Sequence, residues 1–292
     1  MSPIKNIEGV ELSSSSSKSR YGKRDDSVVI KLESKAKISC KFTSNAFVAA
    51  PVKIARQHLK SGKNKGKILL INAGNANAGN GKLGELDALK CCKEISELSD
   101  LNIEDILPFS TGVIGEPLRT QGHITAFKKA YNSLKASNWK RAAKAILTTD
   151  TKIKLVSNTI VIGRKKINIT GFAKGSGMIR PDFATLLSFI FTDADINQSL
   201  LNKLHEDALS ESFERITVDG DTSPNDSSVL VATGKSGVKV RSNSKETKSF
   251  QKELTKLFQS LAQGIIKDAE GAKKEIRIDV LKARNKSVAK AV

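Results

Sequence analysis

Four branched aliphatic residues in succession, Ile68-Leu69-Leu70-Ile71, lie between Lys67 and Asn72 and give way to the Gly/Asn stretch from Ala73 to Gly81. A short apolar run closed by turn residues reads as a buried strand. Directly beyond it, Leu83, Leu86, Leu89, Ile95 and Leu98 recur at helical spacing, which predicts an amphipathic helix over 84–99. The same mixture continues along the chain. Strands are expected at 27–32, around 36–42, at 106–109 running into Ser110-Thr111-Gly112, and at 185–192. A hairpin is expected over 153–172, turning at Gly163-Arg164. Helices are expected near 53–60, twice within 124–147, from an Asp195 N-cap to about Phe213, and through Phe250, Leu254, Leu257, Leu261 and Ile265. Ile276, Ile278 and Val280 alternate as one more strand, and residues 1–27, with serines at 13–17, are expected to be partly loose. Strands and helices mixed in this way imply an α/β chain, built as an α+β sandwich.

The 292 residues suffice for a sizeable core. A formal charge of +19 suggests a nucleic-acid partner. However, the basic residues are spread along the chain in short pairs such as Lys165-Lys166 and Lys273-Lys274. Aromatics are only 5 %, without the aromatic-basic interleaving that stacks bases. No nucleic-acid partner is expected. The longest nearly unbroken apolar run, Ala184 to Phe191, is far too short to cross a bilayer, and the N-terminus shows no secretory h-region. Cys40, Cys91 and Cys92 are an odd number with two adjacent, which suits neither a disulfide framework nor a zinc site. These features predict a cytoplasmic protein with no membrane partner and no metal.

Several motifs come close to known chemistry and fail. Gly74-Asn75-Ala76-Asn77-Ala78-Gly79 has P-loop glycine spacing, but Asn80-Gly81 stands where Lys and Ser/Thr are required. Asp219-Gly220-Asp221-Thr222-Ser223-Pro224 starts like a calcium loop, but has Pro224 for the turn glycine and Leu230 for the bidentate Glu. His58, His123 and His205 have no Gly-x-Ser-x-Gly elbow nearby and are expected at the surface. Four segments remain that combine strand ends, small residues and hydroxyls: Ile71–Gly81, Ser110–Gly115, Leu147–Thr151 and Gly171–Leu187. A strand end followed by Ser-Thr-Gly leaves backbone N–H groups free, as an oxyanion hole does, although an ordinary turn has the same spacing. Thr148-Thr149-Asp150-Thr151 reads as a helix cap or a polar ligand site, and Lys174 beside glycines could anchor a carboxylate.

The segment from Lys174 to Leu187, KGSGMIRPDFATLL, resembles the self-cleavage segment of the ornithine acetyltransferase (glutamate N-acetyltransferase, ArgJ) family. FTSNAFVAAPV from Phe42, INAGNANAG from Ile71, STGVIG from Ser110, AILTTDT from Ala145, ITVDGDTSPNDS from Ile216 and DAEGAKK from Asp268 agree with it in order. The resemblance implies a DmpA-like N-terminal-nucleophile fold that cuts itself between Ala184 and Thr185. The α chain would be 1–184 and the β chain 185–292, with an incomplete C-terminal domain from about 245. Members of the family continue past Val292 and contribute further substrate groups there, so the sequence reads as C-terminally incomplete.

The implied chemistry explains why the nucleophile is a threonine. The Thr185 hydroxyl attacks the preceding carbonyl, and hydrolysis of the resulting ester frees an α-amine with a reference pKa of about 7.7–8.0. That amine is a general base for its own hydroxyl, with no histidine required. The resemblance further implies acetyl transfer from N2-acetyl-L-ornithine to L-glutamate through an acetyl-Thr185 enzyme. Thr111 and Gly112 would form the oxyanion hole, and Thr148, Lys174, Thr185 and Glu270 would bind substrate. Lys174 would face the α-carboxylate and Glu270 the cationic end of ornithine. No cofactor is implied, although bifunctional members also use acetyl-CoA as a substrate. Processed members assemble as α2β2 heterotetramers. The alternative is a DmpA-like aminopeptidase that passes the acyl group to water. Phe183 and Leu186 stand where the family often has Met, changes too conservative to prevent cleavage.

Overall fold

The structure, a computed structural model, describes residues 3–62, 66–162, 164–180, 186–242 and 244–291. The first part of the chain supplies β1 (Val10–Ser15), β2 (Ser27–Leu32), β3 (Lys37–Phe42), α1 (Ala50–Ser61), β4 (Ile68–Asn75), α2 (Gly81–Ser99) and β5 (Ile106–Val113). Then come α3 (Thr120–Tyr131), α4 (Trp139–Ala145), β6 (Lys154–Ile162), β7 (Lys165–Lys174) and β8 (Leu187–Thr192). A short β9 (Asp195–Ile196), α5 (Gln198–Ser210), β10 (Ser227–Ala232), β11 (Lys239–Val240), α6 (Lys245–Ile266) and α7 (Lys286–Ala291) follow.

Two mixed sheets stack face to face. One runs β1-β2-β4-β5, and the other β3-β10-β8-β7-β6. Strand alternation decides what each face meets. In β4, Leu69 and Ile71 join the core between the sheets with Phe172, Phe189 and Val229, whereas Ile68 and Leu70 turn outward to Cys92, Ile95 and Phe127 of α2 and α3. In β8, Phe189 and Phe191 look inward, while Ile190 joins Leu204, Leu257 and Phe258 of α5 and α6. Both faces of each central strand are thus covered, which is why these strands read as continuous apolar runs. The result is four layers: helices, sheet, sheet, helices. The rings of Phe109 and Phe189 meet edge to face across the two sheets, 5.2 Å between centroids, and Trp139 of α4 meets Phe191 at 5.4 Å.

Four sequence expectations are corrected. The serine-rich N-terminal stretch is not loose, because β1 pairs with β2 from Val10↔Leu32 to Ser15↔Ser27. Its hydroxyls find partners: Ser13 Oγ lies 3.0 Å from Ser133 Oγ, far along the chain, while Ser14 donates to Asp25 Oδ2 at 2.7 Å and Ser17 to Asp26 Oδ2 at 2.6 Å just before β2. Asp195 lies in β9, and the α5 N-cap is Asn197, whose side chain accepts from Leu200 N at 2.9 Å. Ile276 and Ile278 form no strand, being 81 % and 82 % exposed with nothing packed on them to reward alternation. All three histidines are buried rather than superficial, each satisfied by a hydrogen bond. His58 Nδ1 lies 2.7 Å from Ile106 O, and His123 Nδ1 lies 2.9 Å from Ser27 Oγ. His205 sits between Ser39 Oγ at 3.0 Å and Ser228 Oγ at 2.8 Å. The Gly163 half of the expected hairpin turn lies outside the described residues, but β6 and β7 pair as expected from Lys154↔Ala173 to Ile162↔Lys165.

Candidate active site

The parallel strands β4 and β5 end side by side, with a register shift at Gly74 and Asn75. Here the two backbones press together. A Cβ on Gly112 would lie 2.3 Å from the Gly74 carbonyl carbon, and Gly112 has φ +133°, so no other residue fits. This contact holds Thr111 and Gly112 at the wall of a cleft of about 630 Å3, which Thr148, Lys174, Asn225 and Glu270 also line. Five of the site residues read from the sequence are therefore in one place. A larger hollow of about 1180 Å3, between Glu33–Lys37 and Ala232–Lys235, contains none of them.

Lys174 closes β7 with its side chain buried, and its Nζ donates to Thr111 Oγ1 at 3.2 Å. A hydroxyl that accepts from an ammonium keeps its own hydrogen to donate elsewhere. Behind Lys174 lies a buried ionic network. Asp150 Oδ2 is 3.8 Å from Lys174 Nζ, while Asp150 Oδ1 accepts from Lys154 Nζ at 2.5 Å and from Gly175 N at 2.7 Å. Lys154 Nζ also reaches Asp268 Oδ2 at 2.5 Å and Gly175 O at 3.1 Å. Burial pushes the Lys174 ammonium below its usual range, against the pull of Asp150. Burial works the other way on Asp150, but Lys174 and Lys154 outweigh it and hold the carboxyl below the usual range. Two residues beyond Asp268, Glu270 N donates to Ser176 O at 2.7 Å, placing the exposed Glu270 carboxylate at the cleft rim.

Thr148-Thr149-Asp150-Thr151 caps no helix. Thr148 N donates to Asp150 Oδ2 at 3.2 Å within the segment, and the Asp150 carboxylate serves the two lysines. Asp150, Lys154 and Asp268 were not singled out from the sequence, although Asp150 and Asp268 lie inside segments that were. Ala184 and Thr185 lie outside the described residues. The chain beyond them is placed: Leu187 pairs with Lys174 on one side and Ser227 on the other, and Leu186 O accepts from Ser227 N at 3.0 Å.

Residues 11–292 match the ArgJ family. The arginine biosynthesis bifunctional protein ArgJ of Colwellia psychrerythraea is 40% identical over 298 aligned positions, covering 98% of this chain and 70% of its own. The crystal structure of the same-named protein from Bacillus halodurans is similar at a TM-score of 0.52 and 29% identity, covering 60% of this chain and 91% of that one. Ornithine acetyltransferase from Mycobacterium tuberculosis, solved with ornithine, aligns at a TM-score of 0.52 and 22% identity, covering 62% of this chain and 93% of that one. The L-aminopeptidase D-Ala-esterase/amidase of Ochrobactrum anthropi, described as a variant of the Ntn-hydrolase fold, aligns at a TM-score of 0.52 and 11% identity. It covers 91% of this chain and 87% of its own, a likeness of fold alone, in keeping with the expected architecture.

Proposed function

The chain belongs to the ArgJ family, and from that premise we propose that it works in arginine biosynthesis as a glutamate N-acetyltransferase, moving acetyl from N2-acetyl-L-ornithine to L-glutamate. The observation that carries this reading is the gathering of Thr111, Gly112, Thr148, Lys174 and Glu270 around one cleft. Thr185, the nucleophile, is freed by self-cleavage after Ala184, giving α chain 1–184 and β chain 185–292, the latter with a C-terminal part from about 245. The processed enzyme is read as an α2β2 heterotetramer of the cytoplasm. Among the described residues, no helix is long and apolar enough to cross a membrane.

Transfer takes two steps. Thr185 Oγ bonds to the acetyl carbon, and its proton passes through the Thr185 α-amine to the leaving nitrogen as the C–N bond breaks. Ornithine departs and the acetyl group remains as an ester. The neutral amine of glutamate then attacks the ester and loses a proton to the α-amine, which returns it to Oγ. Both tetrahedral intermediates place negative charge on the acetyl oxygen. Thr111 and Gly112 face that charge, and the Thr111 hydroxyl, accepting from Lys174, is free to donate to it. One such donor contributes roughly 3–4 kcal/mol to an acyl-transfer transition state. Lys174 is the partner for the α-carboxylate that both substrates carry. Glu270, at the rim, faces the distal ammonium of ornithine. No cofactor is needed, and acetyl-CoA enters, if at all, as a second acetyl donor.

Intact mass and N-terminal sequencing test the reading. Two fragments are expected, the second beginning Thr185-Leu186-Leu187 and gaining one acetyl group when acetylornithine is supplied without glutamate. Release of acetate at the same rate with or without glutamate would instead assign the chain to the aminopeptidase-like hydrolases.

A further inference from the structure

The segment Ile216–Ser227 carries one of the ordered motifs and borders the cleft. Within it, Asn225 stands at the cleft wall, 6 % exposed, just before β10. Its Nδ2 donates to Ala76 O at 2.6 Å and to Ser110 O at 3.0 Å. These carbonyls belong to the two strand ends that form the oxyanion wall, and Ser110 immediately precedes Thr111. Two carbonyl partners fix the orientation of the amide, because the flipped form would set oxygen against oxygen twice. The segment is itself held rigidly: Asn225 N donates to Ser223 Oγ at 3.1 Å, Thr43 Oγ1 donates to Ser223 O at 2.7 Å, and Ala49 N donates to Pro224 O at 3.0 Å. With both donors engaged and the turn fixed, Asn225 Oδ1 is left buried without a hydrogen-bond partner among the described residues. A buried acceptor in that state is costly, so it calls for a role.

We propose that Asn225 is a further catalytic residue whose Oδ1 accepts a hydrogen bond from the substrate nitrogen that gives up or receives the acetyl group. This rests on the acetyl-transfer reading above. With the acetyl oxygen directed at Thr111 and Gly112, the nitrogen on the same carbon needs an acceptor nearby, and Oδ1 is an unused acceptor beside that wall among the described residues. In the forward step it holds the amide N–H. In the second step it holds an N–H of the glutamate amine, so that the lone pair points at the ester carbon. Asn225 neither gives nor takes a proton, and proton traffic stays with the Thr185 amine.

The test compares N2-acetylornithine with the acetate ester of the corresponding 2-hydroxy acid, in which oxygen replaces the amide nitrogen and no N–H remains. In the unaltered enzyme and in Asn225→Ala, kcat/KM is measured for both. The amide-to-ester ratio is expected to fall about tenfold or more in the variant, the loss of one buried hydrogen bond. A merely structural role would lower both substrates equally, and an unchanged ratio overturns the proposal. If the unaltered enzyme transfers acetyl from neither substrate, the acetyl-transfer reading itself fails and takes this inference with it. Should Asn225→Ala not accumulate as folded, cleaved protein, a crystal structure of the unaltered enzyme with L-glutamate decides. An amine nitrogen within hydrogen-bond distance of Oδ1 supports the role, and one bound elsewhere overturns it.

Discussion

At Gly112 the tolerance for change is close to nil. Any side chain there meets the Gly74 backbone, which has no rotamer with which to yield. Gly112→Ala is expected to abolish acetyl transfer and to slow self-cleavage, with a loss of at least about 100-fold in kcat, as when an oxyanion donor is displaced. Kinetics and a time course of fragment appearance check this, and near-normal rates would remove Gly112 from the chemistry. Glu270 presents the opposite case, since its exposed carboxylate leaves room for graded effects. Glu270→Gln is expected to raise KM for acetylornithine about threefold to tenfold, as for one partly exposed ion pair, while KM for glutamate stays put. Equal shifts in both would mean that Glu270 does not read the ornithine end.

Between elements, a buried ionic coupling outside the apolar cores runs through Lys154 of β6, which joins Asp150 and Gly175 O to Asp268 beyond α6. Removing one member of a buried ionic network leaves its partners uncompensated. Lys154→Met is expected to cost about 3–5 kcal/mol in urea denaturation, whereas a loss under about 1 kcal/mol would mean that Asp150 and Asp268 find other partners. This network also shows where sequence reasoning stops. β4, α2, β6, β7 and α6 were legible because their apolar spacing is local and matches one period. The site motifs were legible as segments, since Ser-Thr-Gly at a strand end and Lys among glycines declare their chemistry at short range. Asp150, Lys154 and Asp268 were not, because nothing in the local sequence marks Asp150 and Lys154 as a buried pair and their link to Asp268 spans 114 positions. Ser13 of β1 and the three histidines misled for the same reason. Polar residues look like surface until their distant partners are known. Ile276 and Ile278 erred in reverse, keeping a strand's period with no sheet to enter.

Across the whole molecule, acid sensitivity follows from His205. Burial depresses its pKa to about 3, with Lys41 acting in the same direction and the Ser39 hydrogen bond opposing. The unfolded chain takes up a proton near the ordinary value of about 6.5, whereas the folded one resists until about 3. Between those limits the unfolded state binds more protons, so stability falls as pH drops, by up to about 1.4 kcal/mol per pH unit from this residue. Melting temperatures from pH 7 to pH 4 should decline, and His205→Gln should flatten the decline even if it starts lower. An identical slope in the variant would place the sensitivity elsewhere.

The order β3-β10-β8-β7-β6 has a further outcome for a chain cut after Ala184. β8 and β10 then belong to the smaller fragment, flanked by β3 on one side and by β7 and β6 on the other, all from the larger. The fragments are interleaved like the fingers of two hands, and neither can be withdrawn without opening two ladders at once. Dilution should therefore not part them. Isotopically heavy and light preparations of the cleaved enzyme, mixed and left for days, should exchange no fragments, because subunit exchange would be as slow as unfolding itself.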